Sequence, residues 1–194
     1  MKPRLRYITA LGLLIVLSGC AKAKVYYPGN GSFNATTTSD VRVDAKIYRE
    51  RVNQLEHELV ALSETIDKSE AMIVAETAVR ESAVLAEKYQ LVRPAAAHNL
   101  LVVMGLKDRG LCYHWTEDLM KRLQTLDLKS LQLHWGVSYR GSELREHNCV
   151  VVTAKGQSFF NGIVLDTWRN SGNLFWAQVT KDSYPWKVLP PSDW

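Results

Sequence analysis

Between residues 40 and 92 the chain has neither glycine nor proline, and its apolar side chains recur at helical spacing. Tyr48, Val52, Leu55, Leu59, Leu62, Ile66 and Ile73 fall three, four or seven apart, with charges such as Arg49, Glu50, Glu56, Glu58 and Lys68 between them. That spacing predicts helix with a heptad seam. Beyond Ile73 the stripe passes into smaller side chains, with Ala75, Val79, Ala83, Ala86 and Tyr89 in line. One long helix fits, and so do two antiparallel helices turning between Asp67 and Glu70. The seam either packs on the rest of the protein or serves self-association or a helical partner.

Arg93 and Pro94 interrupt this pattern. Residues 95–106 form a short apolar helical run containing His98 and Asn99, and residues 107–110 turn. In the next run Cys112, Trp115, Leu119, Leu123 and Leu126 share one helical face, which must be the buried one. The period then changes from 3.6 to 2. Leu131, Leu133, Trp135, Val137 and Tyr139 alternate with Gln132, His134, Gly136 and Ser138, as in a half-buried strand. Residues 146–154 and 159–166 suggest a hairpin over Lys155, Gly156 and Gln157. A four-residue loop would pair Ala154 with Phe159 and set His147 opposite Asp166. A last strand spans 174–179, and the proline- and tryptophan-rich tail lies over the sheet. The class is α+β: a helical segment at 40–92, then an α+β domain at 93–194.

The amino terminus changes the apparent charge. Lys2, Arg4 and Arg6 precede a short apolar stretch at 8–17, and Leu17, Ser18 and Gly19 lead into Cys20. Residues 1–19 therefore have the form of a signal peptide. Their end resembles the lipobox of bacterial lipoproteins. That resemblance implies cleavage before Cys20, lipidation of its thiol and a membrane anchor. Ala21, where an aspartate would signal retention, implies the outer membrane. Residues 20–39 mix Gly, Asn, Ser and Thr without period, a flexible linker. Loss of residues 1–19 removes three basic and no acidic side chains, so the formal charge falls from +4 to +1. A near-neutral chain gives no electrostatic case for a nucleic-acid partner.

The chemistry sits in the last third. Cys112 opens a helix, His147 leads one strand and Asp166 ends the next. A thiol, a base and an orienting carboxylate make a nucleophilic set if they converge. The helix terminus and a neighbouring imidazolium would both favour the sulfur anion. The Cys112 N–H is a natural oxyanion donor; the second stays open between Asn99 and Trp135. Trp168 and Arg169 are candidates to line a substrate groove. His134 is the alternative base, while His114 projects from another helical face. Cys149 leaves its strand on the same side as His147, so a Cys112–Cys149 disulfide is the competing role for the nucleophile. No CxxC or HExxH spacing occurs, and neither metal nor cofactor is expected.

GLCYHW, EHNCVVV and GIVLDTW resemble the nucleophile, histidine and aspartate motifs of the transglutaminase-like branch of the papain-like cysteine superfamily. The likeness covers about residues 95–180, and the Cys–His–Asp order agrees with it. It implies a nucleophile helix packed on an antiparallel sheet, and a peptidase, amidase or transglutaminase acting on protein or peptidoglycan peptide. Cys149 departs from it, standing where an aromatic residue commonly accompanies the histidine. Set against it is a non-catalytic outer-membrane lipoprotein that binds a partner through residues 40–92.

Overall fold

A computed structural model describes residues 38–194 except Glu143, with side chains from Ala45 onward. The signal sequence, Cys20 and nearly all of the linker lie outside the described residues. Among the described residues, four α-helices and one five-stranded antiparallel sheet make an α+β architecture.

The heptad pattern resolves into a hairpin. Helix α1 (Thr38–Val60) and helix α2 (Lys68–Lys88) are separated by a turn that ends on Asp67. Asp67 is the N-cap of α2, and its carboxylate accepts the Ser69 and Glu70 N–H groups at 2.7 and 3.3 Å. Satisfying those unpaired donors starts the new helix there. The Tyr48 hydroxyl donates to the Glu76 carbonyl, as the doubled-back chain requires.

Val52, Leu55, Leu59 and Ile66 are buried, whereas Ile73 is 44% exposed. The seam does not run through the turn, because the non-helical residues reset the angular phase. Ala71, Val74, Ala78 and Leu85 face inward on α2 instead, and Ala83 faces out. Ala71, Val74 and Ala78 share one core with α4 and the sheet, and Leu85 packs with Ala86, Tyr89 and Trp115. Val52, Leu55, Leu59 and Ile66 of the seam are therefore occupied within the chain.

Helix α3 (Ala95–Val103) and helix α4 (Cys112–Gln124) precede the strands. On α4, Trp115, Leu119 and Leu123 are fully buried, as their shared face requires, while Cys112 is half-buried at the helix entry. Each large side chain so buried stabilises the fold by roughly 1.5–3 kcal/mol.

The sheet runs β4-β3-β2-β1-β5, with β1 at Leu131–Ser138, β2 at His147–Ala154, β3 at Ile163–Asp166, β4 at Phe175–Gln178 and β5 at Lys187–Leu189. Asn148 shares a strand face with Val150 and Val152, which pack toward the helices. His147 shares the other with Cys149 and Val151, which pack with Phe159, Val164, Val179 and Trp186.

The β2–β3 register differs by two residues from the sequence expectation. Val150 pairs with Leu165 and Val152 with Ile163, so Asp166 lies diagonal to His147 rather than opposite it. The cause is a 3-10 turn at Phe159–Asn161 that lengthens the connection, with the Ser158 hydroxyl accepting the Phe160 N–H. A slip of two preserves side-chain parity, so both residues keep the expected face.

Candidate active site

The turn before α4 is built to present its first residue. Gly110 has φ +131°, a left-handed value, and a Cβ there would stand 2.3 Å from the His98 ring. Only glycine fits. Fully buried His98 accepts the Val92 N–H at Nδ1 (3.1 Å), and its Nε2–H donates to the Arg109 carbonyl at 2.9 Å. His114 reaches back so that its Nδ1 accepts the Gly110 and Leu111 N–H groups at 3.1 and 3.2 Å. Burial, then the charge of Arg109, lowers the His114 pKa and keeps that nitrogen free to accept. The Trp115 indole donates to the Gly110 carbonyl at 2.8 Å. Two histidines and a tryptophan thus fix the loop that carries the thiol.

Cys112 and His147 are the first residues of their elements, and they meet where those two ends meet. Cys112 Sγ donates to the Glu146 carbonyl at 3.7 Å and accepts from Asn148 Nδ2 at 3.7 Å. Its sulfur also lies near enough to His147 to help favour the imidazolium. The His147 Nε2–H donates to Asp166 Oδ2 at 2.6 Å. That leaves Nδ1 as the ring nitrogen for the sulfur. Cys112, His147 and Asp166 therefore converge.

The histidine and aspartate are only 3% and 1% exposed. Burial alone would keep the imidazole neutral, but the charge and hydrogen bond of Asp166, and then those of Cys112, override it. Together they raise the His147 pKa from 6.5 to about 9. Burial likewise works against ionised Asp166, yet His147 and Arg169 hold its carboxyl below the usual range.

This raised value carries a stability prediction. The imidazolium contributes stability that is complete below about pH 6.5. It is lost as pH rises through about 9. Across that window the thermal midpoint of the wild type should fall more than that of His147→Gln. Parallel pH curves for the two proteins would refute the ion pair.

Asp166 is held on all sides. Its Oδ1 accepts the Trp168 and Arg169 N–H groups at 3.1 and 3.0 Å, and Oδ2 also accepts from Arg169 Nε at 2.9 Å. The Arg169 guanidinium then forks onto both oxygens of Asp182 at 2.8 and 2.7 Å, packed against Phe175 and Tyr184. Trp186 donates to Asp182 at 2.8 Å. The His147 ring lies among Trp168, Tyr184 and Trp186, with centroids 4.9, 4.8 and 5.5 Å away.

These contacts place the other residues that the sequence singled out. Arg169 engages two carboxylates, and Trp168 packs against the histidine. Asn99 accepts the Trp168 indole at 3.0 Å and steadies that wall. The Trp135 indole donates to Asn148 Oδ1 at 2.8 Å, so this N–H already has its acceptor. His134 pairs with the Thr153 hydroxyl and takes no part. Cys112 and Cys149 are both free thiols. The Cys149 thiol is fully buried with Val151, Phe159 and Trp186, and that burial pushes its pKa well up.

Sequence reasoning missed Asn148, Asp182 and Tyr184. The signal for Asn148 was there: His147 and Asn148 are a polar pair heading a strand, HNCVVVTA, that continues with a cysteine and three valines. Asp182 and Tyr184 gave none, because their roles depend on where the tail returns. Among the described residues no group of His, Cys, Asp and Glu is arranged to hold a metal ion. Comparison of the chain with models of known families, with curated proteins and with solved structures gives no match.

Proposed function

We propose that this chain is a lipid-anchored envelope protein whose Cys112, His147 and Asp166 carry out acyl transfer on amides of protein or peptidoglycan peptide. The observation that carries the reading is the buried His147–Asp166 pair at 2.6 Å beside a half-buried thiol at a helix entry. A nucleophile helix against an antiparallel sheet, with the base and its orienter on adjacent strands, fits a papain-like arrangement. The lipobox-like end at Cys20 supports attachment to the outer membrane. No described helix is long and apolar enough to cross a membrane.

The chemistry follows from the roles. The sulfur of Cys112, its proton passed to His147 Nδ1, attacks the amide carbonyl, forming a tetrahedral oxyanion. Its collapse breaks the C–N bond, and the imidazolium proton passes to the departing amine. A thioester remains on Cys112. Water or a second amine then attacks it, giving up a proton to His147 as the carbon–sulfur bond breaks. Asp166 keeps hydrogen on Nε2 and so keeps Nδ1 facing the thiol.

Alkylation with iodoacetamide, followed by peptide mapping, tests the site. In reduced full-length protein Cys112 should react at least tenfold faster than an unstructured cysteine peptide, and His147→Ala should remove that advantage. Incubation with muropeptides, or with a glutamine peptide plus a fluorescent amine, should give product that Cys112→Ala abolishes. Reactivity no greater than the free peptide, indifferent to His147, would sink the enzyme reading.

A further inference from the structure

The geometry points to Asn148 as the side-chain donor that stabilises the oxyanion formed at Cys112, aimed by the indole of Trp135. This rests on the acyl-transfer reading of the site and supplies a part that reading lacks. Cys112 begins α4, where the first N–H groups have no intrahelical acceptor, so its backbone gives one donor. A tetrahedral intermediate needs more than one, roughly 2.7–3.1 Å from the developing oxyanion.

Asn148 is 5% exposed, and its two amide atoms are not interchangeable. Oδ1 accepts the Trp135 N–H, which has no other chemistry than donation. Nδ2 must then face the other way, toward Sγ at 3.7 Å and the Glu146 carboxylate at 3.5 Å. When an acyl carbon bonds to Sγ, its oxygen lies one bond further out, within reach of a donor at that distance. The amide is neutral, so it favours the anionic intermediate without competing for the imidazolium. Asn148 also projects to the helix side of β2, away from His147, so donor and base approach the acyl carbon from different sides. Trp135 touches no reacting atom in this scheme; it is a positioning residue.

Two reagents acting on the same sulfur separate this role from simple thiol activation. Iodoacetamide alkylates by displacement and forms no oxyanion, whereas p-nitrophenyl acetate acylates through one. In full-length reduced protein, Asn148→Ala should slow acylation of Cys112 by about 100-fold. Its alkylation rate should stay within about threefold of wild type. Trp135→Phe, which removes only the orienting N–H, should show the same selective loss at about tenfold, and it carries the test if Asn148→Ala unfolds. Parallel loss with both reagents would reassign Asn148 to activating the thiol and overturn the proposal. Unchanged acylation in the variants would overturn it as well. If wild-type Cys112 alkylates rapidly but is never acylated, the acyl-transfer reading itself falls, and this inference with it.

Discussion

Asp166→Asn is expected to slow acylation of Cys112 by about 10³-fold or more while the protein stays folded. The substitution is isosteric, but it exchanges an acceptor for a donor where acceptors are needed. Oδ2 receives hydrogen bonds from both His147 Nε2 and Arg169 Nε, and Oδ1 receives two backbone N–H groups. An amide can serve only one of those pairs. With the backbone N–H groups holding its oxygen, its NH₂ would face Nε2 and drive the imidazole to the tautomer with hydrogen on Nδ1. That hydrogen would point at the thiol, and general-base catalysis would stop. The loss of charge would also lower the histidine pKa from about 9, since Asp166 is the largest influence raising it. Stopped-flow acylation with p-nitrophenyl acetate reads the first effect and NMR titration of the His147 ring the second. A variant retaining wild-type acylation would show that the carboxylate has no catalytic consequence.

Arg169→Ala is expected to cost about 3–5 kcal/mol of folding stability, read from urea denaturation. Its guanidinium is the shared counter-ion of Asp166 and Asp182, whose side chains are 1% and 2% exposed. Removing it leaves two buried carboxylates with less compensation: Asp166 keeps His147 and two backbone N–H groups, and Asp182 keeps the Trp186 indole and Ser183. Asp166 would keep a charged partner; Asp182 would keep only neutral ones. Arg169→Lys should restore little, because an ammonium cannot bridge Asp166 through Nε while forking onto both Asp182 oxygens. A loss below about 1 kcal/mol would place this cluster with exposed ion pairs, which contribute that little.

How far the sequence reached differs from element to element. Helix α4 was legible because Trp115, Leu119 and Leu123 follow the 3.6-residue period, and β1 because Leu131, Trp135 and Val137 follow the period of two. The face shared by His147 and Asp166 followed from parity, which survives a two-residue slip. The loop length did not: nothing local separates a four-residue turn from the 3-10 turn seen at Phe159–Asn161. The continuation of the α1 seam failed for a related reason. Periodicity fixes a stripe within one helix, but the angular phase after a break depends on what the next helix packs against. Trp135 shows a third limit. Its donor was noticed, but only the position of Asn148 shows which acceptor already holds it.

The chain by itself determined the four helices and strands β1 to β4, the burial stripe of α4 and the three chemically apt residues, because each is set by spacing and side-chain character within a short stretch. It did not show that the tail adds β5 to the sheet edge. Folding in three dimensions decided everything that depends on which distant groups share a boundary. It brought the ends of α4 and β2 together, returned the tail so that Tyr184 and Trp186 enclose the histidine, and joined Asp166 to Asp182 through one arginine. Such contacts span many residues of chain, and their energies depend on the low-dielectric interior that only the assembled layers create.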